Sequence, residues 1–180
     1  MATEKLKIGS TLPEFNLIGV DNKQYSNDYF TDYKILILIF SCNHCPYVQA
    51  YEERIKAIVF DYESKGIGLA AINSNDDKDY PEDSFENMQI RSTERNFNFP
   101  YLRDETQETA IAFGATHTPE FFVFDSERRL RYHGKIDDNW KEEDKVVNKY
   151  LRNALDELLE GKEISVPETF SIGCTIKWKN

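Results

Sequence analysis

The stretch Ile35-Leu36-Ile37-Leu38-Ile39-Phe40-Ser41-Cys42-Asn43-His44-Cys45-Pro46-Tyr47-Val48 decides how this chain is read. Its first six residues are apolar without a break, the pattern of a strand buried on both faces. After Pro46 the apolar period changes. Val48, Tyr51, Ile55, Ile58 and Val59 fall near the three- and four-residue spacing of one helix face, which predicts a helix over 46–64. Pro46 suits the first turn, where a missing N–H costs little. Cys42 and Cys45 therefore stand where a strand hands over to a helix. Free amides and the helix dipole at such a place stabilise a thiolate, lowering thiol pKa to ~3.5–7.5 in Cys-x-x-Cys motifs.

Outward from this junction, strands and helices alternate. Ile67 to Ile72 reads as a second buried strand, approached through Gly66, and residues 13–25 as an irregular N-terminal extension with short strands. Asp83 to Phe97 reads as a helix after Pro81, and Thr106 to Phe113 as a shorter one ending at Gly114. Phe121 to Phe124 and Leu130 to Tyr132 read as strands, joined through Asp125-Ser126-Glu127-Arg128 as a hairpin. Asp144 to Leu159 reads as an amphipathic helix closed by Gly161. A βαβ unit followed by a hairpin and a last helix makes an α/β sandwich around a mixed sheet. No repeat, low-complexity tract or linker divides the chain, so residues 1–180 read as a single domain.

Composition narrows the function classes. Hydrophobic residues are 40% and aromatic residues 13% of the chain, which marks a globular protein. A formal net charge of -10 argues against nucleic acid and against anionic membrane surfaces as partners. Met1 to Ile8 has no apolar stretch suited to a signal peptide, and no segment approaches the roughly 20 apolar residues of a membrane span, so the expected location is the cytoplasm. Three cysteines are too few for a disulfide scaffold, and in a reducing compartment a Cys-x-x-Cys is catalytic or metal-binding rather than structural.

In a catalytic Cys-x-x-Cys one sulfur attacks and the other resolves the mixed disulfide. Cys42, ahead of the first helical turn, is the expected attacker, and the more shielded Cys45 the resolver. His44 between them is a candidate tuner of the thiolate through its charge. Thr118-Pro119, ahead of the apolar strand, is the second informative spot, since a cis X-Pro turn leaves the preceding backbone free to pair with an extended substrate. Cys174 is a possible additional redox thiol, able to bond Cys42 or Cys45 or to cap the site. A zinc site drawing on Cys42, Cys45, His44, His117 or Cys174 is the competing reading of the same residues. Asn73 to Asp77 ends a strand and reads either as a solvated loop or as a flank of the site, and Asp137-Asp138-Asn139 as an exposed turn in preference to a cation site or cleft lining; Lys141 to Lys145 is expected as a solvated helix start and His133 as a packing residue.

The chain resembles the thioredoxin superfamily, and within it the peroxiredoxin-like branch of the alkyl hydroperoxide reductase and thiol-specific antioxidant group. The resemblance runs through Cys42-Asn43-His44-Cys45-Pro46-Tyr47-Val48, Asn73-Ser74-Asn75-Asp76, Tyr80-Pro81-Glu82-Asp83-Ser84-Phe85, Thr118-Pro119, Gly134-Lys135-Ile136-Asp137-Asp138-Asn139 and Gly173-Cys174-Thr175-Ile176-Lys177-Trp178. It implies a thioredoxin-like fold, a central mixed β-sheet flanked by helices, with an N-terminal extension and a C-terminal tail. It also implies Cys42 as attacker, Cys45 as resolver and Pro119 as the cis-proline facing them. The chain departs from thioredoxins in having Ser41 before the first cysteine and Asn43-His44 between the two. Leu36 stands at the thioredoxin buried-acid position, so the proton of Cys45 needs another group or water. Peroxiredoxins use Pro-x-x-x-Thr-x-x-Cys, which would fall on Leu38, Cys42 and Cys45, leaving out the hydroxyl that orients a peroxide.

The resulting expectation is a thiol–disulfide oxidoreductase that needs no cofactor. It would act on protein or small-molecule disulfides and be restored by an external thiol reductant. The alternatives are a thiol peroxidase, in which a cysteine passes through sulfenic acid, and a metal-carrying or binding module without turnover.

Overall fold

The structure is a computed structural model and describes residues 4–180. In chain order its strands are β1 (Asn16–Gly19), β2 (Gln24–Ser26), β3 (Ile35–Phe40), β4 (Ile67–Asn73), β5 (Tyr101–Arg103), β6 (His117–Thr118), β7 (Glu120–Phe124), β8 (Leu130–Gly134) and β9 (Cys174–Thr175). The helices are α1 (Pro46–Tyr62), α2 (Phe85–Glu94), α3 (Glu108–Phe113) and α4 (Tyr150–Leu159). Seven strands make one sheet in the order β2-β1-β5-β4-β3-β7-β8, and β6 pairs separately with β9. β3, β4 and β5 run parallel; β7, β8 and β1 are antiparallel to their neighbours.

β3 lies inside this sheet because both of its faces are apolar. Successive side chains of a strand point to opposite sides. Ile35, Ile37 and Ile39 pack with Tyr51, Ile55 and Ile58 of α1 and with Leu151 and Leu155 of α4. Leu36, Leu38 and Phe40 pack on the other side with Phe30, Phe113, Phe122 and Phe124. Burial of each such side chain contributes ~1.5–3 kcal/mol, so this strand anchors the two layers.

The expected βαβ unit is β3-α1-β4, and the expected hairpin is β7-β8. Three differences have local causes. The predicted helix over Asp83 to Phe97 begins only at Phe85, because the Ser84 side chain accepts the Asn87 amide at 3.2 Å and caps it there. Asp83 is left in a short 3-10 turn, Pro81–Asp83. The predicted helix over Asp144 to Leu159 begins only at Tyr150. The Asp138 carboxylate accepts the amides of Val147 and Asn148 at 3.0 Å each, which holds this stretch out of the helix. The third difference is the short strands β5, β6 and β9, which had no counterpart in the sequence reading.

Asp137, expected in an exposed turn, is buried. Arg54 from α1 donates to it at 2.7 Å and the Tyr51 hydroxyl at 3.2 Å. His133 is the packing residue expected, buried with its Nε2 2.6 Å from Glu120. Breaking a buried ion pair from one side leaves an uncompensated charge and costs about 3–5 kcal/mol. Arg54→Met is expected to lower stability by about this amount in urea unfolding, with part of the loss recovered when Asp137→Leu is added.

Candidate active site

β3 ends at Phe40, and the chain turns through residues 41–44 before α1 starts at Pro46. The residue that caps α1, with extended backbone (φ -74, ψ 123), is Cys45. Cys42 lies further upstream in the turn. Both sulfurs are buried, with 2% and 0% exposure, and Cys174 is half-buried.

Thr118 reaches both members of the pair. Its Oγ1 is 3.4 Å from Cys42 Sγ, and its carbonyl oxygen is 3.3 Å from Cys45 Sγ. The peptide bond from Thr118 to Pro119 is cis. Strand β9 brings Cys174 opposite Thr118 and sets its Sγ 2.9 Å from Cys45 Sγ. Three thiols thus meet at Cys45.

The Cys42 thiol beside Cys45 favours a thiolate there, while burial opposes it. The Cys174 thiol and the amides of Val48 and Cys174 add to the first effect and bring Cys45 down to about 4. The Val48 amide makes no aligned capping hydrogen bond, so it acts as a nearby dipole. The Thr118 carbonyl pulls the other way, since it can only accept from a protonated sulfur. Two neighbouring thiols and the helix start outweigh that single carbonyl. Cys42 is driven strongly up by its contact with the Cys45 sulfur, by burial and by the charge of Asp83. Burial, then the Cys45 sulfur, pushes Cys174 up to about 11. The sequence reading put the thiolate on Cys42. The helix starts at Pro46 as expected, and the electrostatics favour the thiolate on Cys45, the residue that caps it, over Cys42.

Asp83 holds the turn in shape. This fully buried carboxylate accepts the Asn43 amide at 2.6 Å, Asn73 Nδ2 at 3.2 Å and Asn75 Nδ2 at 2.9 Å. His44 Nδ1 sits 2.6 Å from Asp83 Oδ2, close but without an aligned hydrogen bond. The Asn43 side chain donates to the Glu82 carbonyl at 2.8 Å and accepts from the Tyr101 hydroxyl at 2.8 Å. His44 stacks on Tyr80, with ring centroids 6.0 Å apart. Asn73 to Asp76 flanks the site, the alternative to a solvated loop, and is buried because Asn73 and Asn75 supply side-chain amides to Asp83.

The sequence-derived candidates Cys42, Cys45, His44, Thr118, Pro119 and Cys174 therefore gather in one place, whereas His133 and Asp137 lie in the fold's interior elsewhere. Sequence reasoning did not single out Asp83 or Tyr101. Asp83 follows a proline at an apparent helix start, where an acid is ordinary. Its signals were its place in the family-matching stretch Tyr80 to Phe85 and the Leu36 that stands at the expected buried-acid position. Among the described residues, Cys42, His44 and Asp83 bring metal-ligating atoms within 4.8 Å of one another; Cys45, His117 and Cys174, the other zinc candidates, are not in that group.

The Redoxin family profile matches residues 7–151. The chain belongs to the Redoxin family. This Redoxin is similar over nearly its whole length to two solved structures. A hypothetical protein from Sinorhizobium meliloti 1021 is 36% identical with a TM-score of 0.92, covering 98% of this chain and 97% of that one. An uncharacterized conserved protein from Geobacillus kaustophilus is 40% identical with a TM-score of 0.91, covering 96% and 93%. Peroxidoxin BcpB from Mycobacterium tuberculosis shares the fold at 14% identity and a TM-score of 0.64, over 86% of this chain and 95% of that one. No curated protein matches the chain. The fold is thioredoxin-like, a central mixed sheet flanked by helices. Its family supports a thiol-based redox function. Among the described residues, no helix is long and apolar enough to cross a membrane.

The thiolate is directly measurable. In the reduced protein, ultraviolet thiolate absorbance should rise with a midpoint of about 4, and Cys45→Ser should lack that step. The Cys45 value lies below the ordinary thiol value of 9.0, so its contribution to stability is present above the ordinary value and is lost as pH falls toward about 4. Unfolding measured between those limits should show this slope in the reduced parent and a shallower one in Cys45→Ser.

Proposed function

We propose that this Redoxin is a thiol–disulfide oxidoreductase whose exchanging pair is Cys42 and Cys45. The observation that carries this reading is the geometry of two buried thiols packed together at the start of α1, both facing Thr118 ahead of the cis Pro119; the electrostatics favour the thiolate on Cys45. The thiolate is the nucleophile, so Cys45 attacks one sulfur of a substrate disulfide. That S–S bond breaks, one half leaves as a thiolate, and the other half becomes bonded to Cys45. Cys42 then attacks the Cys45 sulfur. The mixed disulfide breaks, the second half leaves, and a Cys42–Cys45 disulfide remains. The proton of Cys42 must depart in this step. His44, backed by Asp83 and within 4.8 Å of Cys42 Sγ, is the group in reach, and it returns the proton to the second leaving thiolate. Two electrons have passed to the substrate, and an external thiol reductant restores the pair.

In this reading the attacking and resolving roles expected from the sequence are exchanged, and Thr118, held by the cis bond to Pro119, faces both sulfurs. Protein or small-molecule disulfides fit as substrates, and a reducing setting such as the cytoplasm suits the direction of transfer. Cys45→Ser and Cys42→Ser should each bring turnover of a small disulfide, driven by excess external thiol, down to the uncatalysed rate. Retained turnover in Cys45→Ser overturns the assignment of the nucleophile.

One observation favours a second reading. The lowered thiol is Cys45, which stands where the peroxiredoxin pattern puts its reactive cysteine. In a peroxidase, the Cys45 thiolate would take an oxygen from a hydroperoxide, release the alcohol and become a sulfenic acid resolved by a second thiol. Peroxide oxidation of the reduced protein no faster than that of free cysteine removes this reading.

A further inference from the structure

Cys174 takes no part in the steps above, yet the tail is fastened on both sides of it. Upstream, the Thr169 amide donates to the His133 carbonyl at 3.0 Å, and the hydroxyls of Thr169 and Tyr132 are 2.9 Å apart. Downstream, the Ile176 amide donates to the Thr116 carbonyl, the Lys177 amide to Asn75 Oδ1 and the Lys179 amide to Gln107 Oε1, each at 2.9 Å. Ile176 is buried in the layer beneath. Between these anchors, β9 adds to β6 with Cys174 opposite Thr118. Gly173 permits this approach, because a Cβ there would meet the Thr118 oxygen at 2.0 Å.

An extended segment on a strand edge, with its sulfur against a reactive sulfur, is the pose of a substrate bound by strand addition. Here the chain supplies that segment itself and holds it in place. We propose that Cys174 is a third exchanging thiol, which takes the disulfide over from the Cys42–Cys45 pair through Cys45; this rests on the dithiol reading given above. The Cys174 thiol gives up its proton, and its sulfur attacks Cys45 within the Cys42–Cys45 disulfide. The Cys45–Cys174 bond forms as the Cys42–Cys45 bond breaks. Cys42 leaves as a thiolate and takes up the proton. No electrons are gained or lost, so the exchange is an isomerisation that runs in either direction. Cys174 is the least buried of the three sulfurs. The exchange therefore carries the disulfide from the closed pair to the side that an outside thiol reaches.

The test oxidises the full chain with excess hydroxyethyl disulfide, alkylates the remaining thiols and maps the bonds by mass spectrometry without reduction. The parent should yield a peptide joined through Cys45 and Cys174 beside the Cys42–Cys45 form. Cys42→Ser should lose both of its remaining thiols to a Cys45–Cys174 bond. Adding Gly173→Ala to that variant keeps both sulfurs but crowds the strand off β6. It should stall as a mixed disulfide on Cys45 with Cys174 alkylated. A folded Cys42→Ser protein, verified by circular dichroism, that leaves Cys174 open to alkylation overturns the proposal and leaves the dithiol reading standing. A Cys174→Ser protein that forms no Cys42–Cys45 disulfide overturns the dithiol reading and this inference with it.

Discussion

The redox turn depends on one buried carboxylate. A charge taken out of water is tolerated only when its oxygens are fully matched. Asp83 is matched by the Asn43 amide, two asparagine side chains and His44, drawn from the turn after β3 and from the end of β4. Those partners fix the backbone at Asn43, midway between the first sulfur and the helix start. Tyr101 clamps the same asparagine from β5. The aim of Cys42 and the position of Cys45 are thus consequences of satisfying Asp83. The acid also sits close enough to Cys42 to disfavour a second negative charge there. One group therefore orders the loop and biases which sulfur holds the proton.

The sulfur cluster follows from where three peptide segments stop. β3 delivers the turn, the segment before Pro119 delivers Thr118, and the tail delivers Cys174. Thr118 presents a hydroxyl to one cysteine and a carbonyl to the next. Small displacements among these segments would change which pair of sulfurs is in bonding reach. Such sensitivity suits thiol exchange, where the reacting atoms must line up but little else has to be supplied.

Much of this was legible in the sequence. The apolar run before Cys42 announced β3, and the shift to helical spacing after Pro46 announced α1, because both depend on side-chain periodicity alone. The strands β5, β6 and β9 were not legible. Each spans two or three residues, too short for a period to show, and each forms only because a partner edge is already present. The late start of α4 was hidden for a related reason, since the Asp138 side chain overrides a helical pattern that the sequence does carry. Cys42, Cys45, Thr118 and Pro119 could be named from motif chemistry. The protonation order could not, because it turns on how Cys45 meets the Cys42 and Cys174 thiols and the amides around them, which only the fold sets. Asp83 was hidden because its partners lie on other elements, brought to it only by the fold.

The tail has a consequence for how the protein is made. The turn that holds the dithiol is complete in sequence early, but Asn75 and Gln107 do not meet their main-chain partners until Lys177 and Lys179 exist. On a ribosome, the reactive sulfurs are therefore synthesised long before their cover. During that interval the nascent chain carries an open dithiol beside a β6 edge whose partner strand β9 has not yet been made.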